Sequence, residues 1–430
     1  MTIRSTPAAT ISSITNEDIK SAIDAAINIL GPSLRALNHQ IYSNPETAYT
    51  EYFAHDTICT FLESLNSPTN PISTIFPEIK ITRHAYNLET SFEAIAGTGG
   101  RMVNFNAEYD ALPGIGHACG HNLITTSSVA GFLGLAALVK KFGGEGRVQL
   151  LGTPAEENGG GKARLVEEGA YKHVDVSLMA HPGPKDLYPG ITSDGIAGPL
   201  MNARKELHVT YTGVTAHAGG NPWDGVNALD ALVCAYNNVS VLRQQIKPDE
   251  RIHCAFLETP STANVVPGRT RAYWQVRSPS LRGLEGLMRR VRGCVEAGAG
   301  ATGCEVEIVE KELYADIKNN SPLCTLYKTH MTSYNRSILH SHPSNKVLTG
   351  SSDIGNVSYV VPTLHAMFAI PADEGVFMHH PRFAEAAGTE GAFGEAVVVG
   401  RVLGLVGWGV LVDGEVFGGV KREWEKVVRE

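Results

Sequence analysis

The stretches MVNFNA at residues 102–107, LITTSSVAGFLGLAALVKKF at 123–142 and VQLLG at 148–152 decide the fold class of this chain. The two outer stretches are short and largely apolar, as buried strands are, and the middle one is long enough for a buried helix. A strand, a helix and a second strand in this order predict a parallel crossover unit. We therefore expect an α/β protein.

Further stretches of the same character surround this unit. VDVSLMA at 174–180 and LHAMFAI at 364–370 predict two more buried strands of the same sheet. Upstream, apolar residues at three-to-four spacing predict one helix starting at Asn16 and a second from about Ser33 through Tyr42. The sheet should therefore be mixed, largely parallel and flanked by helices.

The pattern changes between residues 192 and 316. Alternating and apolar runs there predict strands at 206–211, 253–258, 270–276 and 305–309, and helices at 227–242 and 284–299. A β-α-β-β-α-β order predicts a ferredoxin-like α+β domain. We therefore divide the chain into a flexible N-terminus (1–15), a catalytic domain (16–191 and 317–430) and this inserted domain (192–316).

Composition narrows the classes of function. The 430 residues exceed the roughly 250–300 at which a single core stops growing, so two domains are expected. A net charge of -8 without a stripe of Lys or Arg argues against a nucleic-acid partner. Seven scattered cysteines favour a reducing compartment. With neither a signal-peptide pattern nor a run of about 18 apolar residues, we expect a cytoplasmic protein without a membrane partner.

Side chains of metal-ligand type follow each of the four predicted sheet strands. Ligands gather beyond the carboxyl ends of strands in open α/β sheets, so we expect these side chains to lie close together. In chain order they are Glu108, Asp110, Cys119 and His121 after the first strand, Glu156 and Glu157 after the second, His181 ending the third, and His379 with His380 after the fourth. Jointly they indicate a metal site.

Cys119 and His121 are separated by one glycine. In an extended segment both side chains would point to the same side, and Gly120 would let the backbone pass close to an ion. Zinc accepts thiolate, imidazole and carboxylate ligands together. The alternative is that Cys119 is a small core residue and His121 a structural histidine.

Glu156 and Glu157 follow an apolar strand directly. Two desolvated carboxylates would repel each other unless a cation were present. One could then bind the cation while the other takes a proton from water and passes it to a leaving nitrogen. The alternative is a solvated acidic turn.

Two other motifs do not carry chemistry of their own. Gly159-Gly160-Gly161-Lys162 lacks the earlier glycine of a phosphate-binding loop, and Ala163 replaces the required Ser or Thr. Ser351-Ser352-Asp353 lacks the G-x-S-x-G elbow of serine hydrolases. Neither nucleotide binding nor a serine nucleophile is expected.

Several motifs together resemble the aminoacylase and carboxypeptidase G superfamily of dinuclear metallopeptidases. They are AEYDALP at 107–113, CGHN at 119–122, PAEE at 154–157, SDIGNVS at 352–358 and FAEAAGT at 383–389. The last two are similar to the amidohydrolase branch that includes aminobenzoyl-glutamate hydrolase and β-alanyl-lysine dipeptidase. The resemblance covers nearly the whole chain.

The resemblance implies a catalytic domain with two divalent metal ions, zinc or else manganese or cobalt, and an inserted lid domain that forms a homodimer. It also implies a role for individual residues: Cys119 as bridging ligand, His121, Glu157, His181 and His379 as terminal ligands, Glu156 as general base and Asp110 as the carboxylate that orients a ligating histidine. His379 is preferred to His380 by its alignment with the branch's His-Thr-Glu segment. Many relatives have a histidine where this chain has Glu108, and its role is left open.

In the lid, the resemblance implies three further roles. His217 would donate to the substrate carbonyl across the dimer, and Asn264 and Arg277 would hold the substrate's amide oxygen and carboxylate. From their positions alone, His217 is better interpreted as an exposed loop histidine and Arg277 as a surface strand charge.

We therefore predict hydrolysis of an amide bond in a small N-acyl amino acid or dipeptide by metal-activated water and a Glu base. Two alternatives remain: the same site forms an amide or trims a biosynthetic intermediate, or the protein is a non-catalytic binding dimer. The sequence leaves the identity of the substrate and of the native metal open.

Overall fold

The computed structural model describes residues 14–185, 193–340 and 350–429. Contacts divide them into two compact units: the described parts of Met1–Leu200, Lys318–Lys346 and Asn356–Glu430, and Met201–Ile317 with the described part of Val347–Gly355. Most of the predicted flexible N-terminus (1–15) lies outside the described residues; Thr15 caps the first helix.

The described helices are α1 (Asn16–Ser43), α2 (Tyr52–Ser64), α3 (His121–Phe142), α4 (Gly161–Glu167), α5 (Ala228–Leu242), α6 (Leu281–Thr302), α7 (Ser321–Ser333), α8 (Ile354–Ser358), α9 (Pro381–Ala387), α10 (Glu390–Val412) and α11 (Gly414–Arg429). The strands are β1 (Ile79–Arg83), β2 (Phe92–Thr98), β3 (Met102–Ala107), β4 (Gly146–Gly152), β5 (Val176–Pro184), β6 (Gly195–Ala197), β7 (Ala203–Thr212), β8 (Ala216–His217), β9 (Arg251–Glu258), β10 (Val265–Val266), β11 (Arg269–Ser278), β12 (Glu305–Glu310), β13 (Ile338–His340) and β14 (Thr363–Ile370).

The first unit is built on one mixed sheet. Among the described strands its order is β1-β2-β4-β3-β5-β14-β6-β13. The pairs β4–β3, β3–β5, β5–β14 and β6–β13 are parallel, and the other three are antiparallel. The four strands predicted from the sequence are the contiguous parallel centre of this sheet, which confirms the α/β prediction.

Helices α3 and α10 are long and apolar enough, by length and composition alone, to cross a membrane. The expectation that no such apolar run exists was therefore wrong. Both helices are mostly buried in the first unit, α3 entirely from His121 through Val139. They pack against each other, and α1 packs against both. Their apolar composition is therefore explained by burial in the protein core.

The N-terminal region forms one helix, α1, where two were predicted. Pro32 lies inside it, and a proline in a helix interior removes one hydrogen bond at a cost of about 3 kcal/mol. Leu30 and Leu34, on either side, are fully buried, so the apolar face continues through the proline. Packing of that face offsets the lost hydrogen bond.

The second unit contains the predicted ferredoxin-like domain. Its four-stranded sheet has the order β12-β7-β11-β9, and every pair is antiparallel. Helices α5 and α6 pack on this sheet around Trp274. The unit starts later than the predicted insert, because β6 pairs with β13 and β14 of the first sheet, and it includes Ile317.

Candidate metal centre

The ends of β3 and β4 and the middle of β5 bring potential metal ligands together in the first unit. Three groups have ligand atoms within 4.8 Å of one another: Cys119 with His121 and His181, Cys119 with Glu157 and His379, and Glu108 with His121 and Glu156. Because these groups share members, they form one continuous cluster. It contains every metal ligand expected from the sequence.

Cys119 and His121 reach the cluster by a route that differs from the predicted extended segment. Cys119 lies in a turn, and His121 is the first residue of α3. Gly120 between them has φ 79°, and a side chain there would bring a Cβ within 2.6 Å of the Pro182 ring. Glycine is needed for this left-handed turn and its close approach to β5.

Asp110 orients the His121 ring. One carboxylate oxygen lies 3.0 Å from His121 Nδ1, and the other accepts the Glu157 backbone N–H at 2.9 Å. His121 Nε2 then faces Glu108 Oε2 at 3.5 Å and carboxylate oxygens of Glu156 and Glu157 at 3.9 Å. Burial alone would lower the pKa of His121, but Asp110 and Cys119 raise it well above its usual value. A bound metal ion would take the place of that proton.

The two ring nitrogens of His181 face a backbone carbonyl group and Cys119. Its Nδ1 lies 2.7 Å from the carbonyl oxygen of Pro182, and its Nε2 lies 3.4 Å from Cys119 Sγ. If Nδ1 donates to that carbonyl, Nε2 carries a lone pair, the form in which histidine binds metal. Burial and the nearby His121 lower the pKa of His181. The strand continues to Pro184, so the prediction that it ends at His181 was wrong.

Cys119 is nearly buried, with 8% of its surface exposed. Burial and the neighbouring Glu157 raise the pKa of its thiol well above the usual range. A neutral thiol is therefore favoured without a cation, whereas a coordinating cation deprotonates a thiol. The electrostatics of Cys119 are those of a ligand that needs a metal ion to become charged.

Glu156 and Glu157 follow a strained turn. Ala155 has φ 58°, unusual for a residue with a side chain, and its N–H donates to the fully buried Glu51 carboxylate at 2.9 Å. Burial and the nearby Asp110 raise the pKa of Glu51 to about 7. Glu51 thus fixes the backbone that presents both glutamates, which excludes the alternative of a solvated turn.

His379 and His380 have separate contacts. His379 Nε2 lies 3.3 Å from Glu157 Oε1, and its backbone N–H donates to the Ala118 carbonyl at 2.8 Å. The ring of His380 instead accepts from the Arg382 N–H and caps α9. Burial alone would raise the pKa of Glu157. The hydrogen bond with His379 and the charge of His121 outweigh this effect and hold that pKa below its usual value.

The spacing of these atoms fits divalent metal ions. Two ligand atoms about 2.1 Å from one tetrahedral zinc lie about 3.4 Å apart. The observed separations are 3.3 Å for His379 to Glu157, 3.4 Å for His181 to Cys119 and 3.5 Å for His121 to Glu108. His121 Nε2 is buried and has no hydrogen-bond partner of good geometry among the described residues. The residues present therefore fit a metal centre.

The second unit contains the three remaining residues expected from the sequence. His217 on β8 and Asn264 beside β10 are adjacent, because Val265 pairs with His217 and the Ala218 N–H donates to the Asn264 carbonyl. His217 Nδ1 accepts the N–H groups of Gly219 and Gly220 at 3.1 and 2.9 Å. Arg277 on β11 contacts Gln275 and Ser351 and is partly buried, not an exposed charge.

Sequence patterns did not single out three buried residues next to the cluster. Glu51 supports Ala155, Lys162 lies 2.6 Å from Glu108, and the ring of His365 lies 6.2 Å from that of His181. A lysine after three glycines is the one available signal, and by itself it suggests only an incomplete phosphate loop. Nothing in the local sequence distinguishes Glu51 or His365.

Comparison with known proteins agrees with this site. Residues 104–393 match the family model of peptidase family M20/M25/M40. The chain is 36% identical to the Xaa-Arg dipeptidase of Mus musculus over 420 residues, 95% of this chain and 91% of the mouse protein. It is 27% identical to one of the two p-aminobenzoyl-glutamate hydrolase chains of Escherichia coli K12 over 68% of this chain and 60% of that protein.

A solved structure supports the fold. The Bacillus subtilis protein YXEP, described as a dinuclear metal binding peptidase from the M20 family, superimposes with a TM-score of 0.60 at 18% identity, covering 92% of this chain and 99% of that one. The resemblance inferred from the motifs is thereby confirmed. The chain belongs to peptidase family M20/M25/M40, a family of metallopeptidases and amidohydrolases, and is an enzyme of that kind.

Proposed function

We propose that this enzyme hydrolyses the amide bond of a small N-acyl amino acid or dipeptide in a site with two divalent metal ions. The observation that carries the proposal is one cluster of thiol, imidazole and carboxylate groups that is mostly buried, exposes His379 and includes the buried Glu156. Zinc is the metal we propose, because this mixture of ligands suits it. Manganese and cobalt remain to be compared.

Glu156 is the proposed general base. Two divalent cations, when bound, polarise the substrate carbonyl and make water a stronger acid. Glu156 takes a proton from the water as the water oxygen bonds to the carbonyl carbon, and it hands that proton to the leaving nitrogen as the C–N bond breaks, so an amine and a carboxylate are released. The fixed backbone at Ala155 supports this role, because a base must be held within hydrogen-bond distance of the proton that it accepts.

His217 is the proposed donor to the oxyanion that develops on the carbonyl. Its Nδ1 accepts two backbone N–H groups, which fixes the neutral tautomer with the proton on Nε2. The exposed ring can therefore donate from Nε2 without first gaining a proton. Removing one donor of this kind from an oxyanion site costs about 10² to 10³ in kcat.

Arg277 and Asn264 are the proposed contacts to the substrate carboxylate and amide oxygen. The guanidinium group of Arg277 is held by Gln275 Oε1 at 2.8 and 3.2 Å and by Ser351 Oγ at 3.0 Å. An oriented guanidinium group suits bidentate recognition of a carboxylate. The name of the mouse relative makes dipeptides with a C-terminal arginine the first candidates, followed by N-acyl glutamates.

We also propose that the second unit forms a homodimer. Strand β9 is an edge strand, and it exposes Phe256 and Leu257, 46% and 49% accessible. Val241 at the end of α5 is 74% exposed. An unpaired strand edge with apolar side chains favours pairing with a second copy. Leu257→Glu should yield monomers by light scattering, whereas Val309→Glu on the opposite edge strand, β12, should leave the dimer intact.

The proposed location is the cytoplasm. All seven cysteines lie among the described residues, and each is a free thiol. Free thiols persist in a reducing compartment. Fluorescent-tag imaging in the source cell tests this proposal, and residence in a secretory compartment would contradict it.

The experiment that tests the function combines elemental analysis with hydrolysis assays. The purified protein is assayed on dipeptides ending in arginine, lysine or glutamate and on N-acyl amino acids, with and without chelator. We expect about two metal ions per chain and amine release that chelator abolishes and Zn²⁺, Mn²⁺ or Co²⁺ restores. A protein without metal that none of these ions activates would overturn the proposal.

A further inference from the structure

Lys162 is a buried charge that the proposed reaction does not use. Its side chain is fully buried, and Nζ lies 2.6 Å from Glu108 Oε1, itself fully buried. Lysine is almost never buried completely unless it is paired. An ion pair in this position needs an explanation, because desolvating two charges costs about as much as their attraction returns.

The glycines before Lys162 explain how it reaches this position. Gly160 has φ 61° and caps the start of α4. A Cβ on Gly161 would lie 1.8 Å from the carbonyl oxygen of Pro154, so no other residue permits this approach. Helix α4 thus begins directly against the segment that leads into Glu156 and Glu157. Lys162, its second residue, lies buried beside the ligand cluster.

The second oxygen of Glu108 faces the ligand cluster. Oε2 lies 3.5 Å from His121 Nε2, close to the separation of about 3.4 Å for two ligands of one tetrahedral zinc. Glu108, His121 and Glu156 each have a ligand atom within 4.8 Å of the other two, so a single cation can contact Glu108 and His121 together.

The charges of the site also require a compensating cation. With metal bound, Glu108, Asp110, Glu156, Glu157 and the Cys119 thiolate carry five negative charges, and two divalent ions carry four positive ones. The ammonium group of Lys162 supplies the fifth. In a buried site an uncompensated charge is strongly destabilising, so the lysine makes an additional carboxylate ligand tolerable.

We propose that Glu108 is a ligand of the metal ion bound by His121, and that Lys162 is the positioning residue that holds this carboxylate and balances its charge. The inference rests on the proposed function, because it presupposes the two-metal site. The Gly159-Gly160-Gly161-Lys162 segment then has a role: its glycines allow the chain to place the positive charge of Lys162 next to the metal ligands.

The test measures metal binding rather than turnover. Glu108→Gln, Lys162→Met and the double variant are loaded at buffered free Zn²⁺, and bound metal is counted by elemental analysis. The visible absorption of the Co²⁺-loaded proteins reports the ligands directly. Lys172→Met, which removes an exposed lysine nearby in sequence, is the matched control.

We expect Glu108→Gln to lower the affinity for one of the two ions by at least about 100-fold and to change the Co²⁺ spectrum, since an anionic ligand is lost. Lys162→Met should lower the affinity for the same ion about 10- to 100-fold, as substitutions of groups that orient metal ligands do. The double variant removes both buried charges and should fold as well as the unsubstituted protein, yet still bind that ion weakly.

A purely structural ion pair gives a different result. The double variant would then bind two ions with the affinity and Co²⁺ spectrum of the unsubstituted protein, and the inference would be overturned. That result leaves the proposed function standing, because the unsubstituted protein still binds two ions. An unsubstituted protein that binds no metal instead overturns the proposed function itself.

Discussion

The cluster of candidate metal ligands in the first unit differs from the two-stranded ribbon of β8 and β10 that carries His217 in the second unit. Different physical factors position the side chains in the two regions. Cys119 and His181 are 8% and 7% exposed, and they belong to a turn and a strand fixed by the central sheet. His217 is exposed and lies in a two-stranded ribbon, where backbone N–H groups set its tautomer. One region is shaped by burial and charge, and the other by local backbone geometry.

Substitutions in the two regions should therefore change different measured properties of the enzyme. Buried ligands change their protonation when a cation binds, so substitutions among them should alter metal affinity. A donor on an exposed ribbon contributes only when substrate is present, so its loss should alter turnover alone. Four substitutions test this division, in order of decreasing effect.

Glu156→Gln should give the largest effect. It replaces the proposed base by a neutral amide of the same shape, and loss of general base catalysis costs about 10² to 10⁴ in rate. We expect kcat to fall by about 10³ or more while elemental analysis still finds two metal ions. Glu167→Gln on the exposed side of α4 is the control. Retained turnover would remove Glu156 from the mechanism.

His217→Ala should lower kcat by about 10² to 10³, the loss expected for one oxyanion donor, with metal content unchanged. Steady-state kinetics and elemental analysis measure the two quantities. His173→Ala, at an exposed histidine of the first unit, should leave both unchanged. If His217→Ala removed metal, the division between the two regions would be wrong.

Asp110→Asn should weaken metal binding about 10- to 100-fold, because the carboxylate that orients His121 and accepts the Glu157 N–H is lost. Competition with a chromogenic chelator measures the affinity, and the exposed Asp249→Asn is the control. An unchanged affinity combined with reduced turnover would show that Asp110 acts on the reaction rather than on the ligands.

Asn227→Ala should have the smallest effect. Asn227 caps α5 by accepting the Leu229 N–H at 2.9 Å, and loss of such a cap costs about 1 kcal/mol. We expect lower thermal stability by calorimetry, with no change in bound metal. Asn237→Ala, at an exposed position within α5, should not destabilise. A loss of metal in Asn227→Ala would show that the second unit supports the ligand cluster.

Local sequence was a good guide wherever a strand or helix is buried as a whole. The apolar runs at 102–107 and 364–370 form β3 and β14. A strand that is buried on both faces has a nearly continuous apolar sequence, so the run itself predicts the strand. Sequence misjudged α1 and β5, which both continue through proline, since packing of the surrounding side chains outweighed a local signal.

The α/β class, the ferredoxin-like domain and the candidate ligand residues could all be predicted from the sequence, because strand order brings the segments after neighbouring parallel strands to one edge of a sheet. The contacts of Glu51 with Ala155 and of Lys162 with Glu108 became visible only in the folded chain. The fold also brings His379 rather than His380 to Glu157, as the resemblance implied. These contacts join residues distant in the chain, and the pairing of buried charges depends on which side chains meet once water has been excluded.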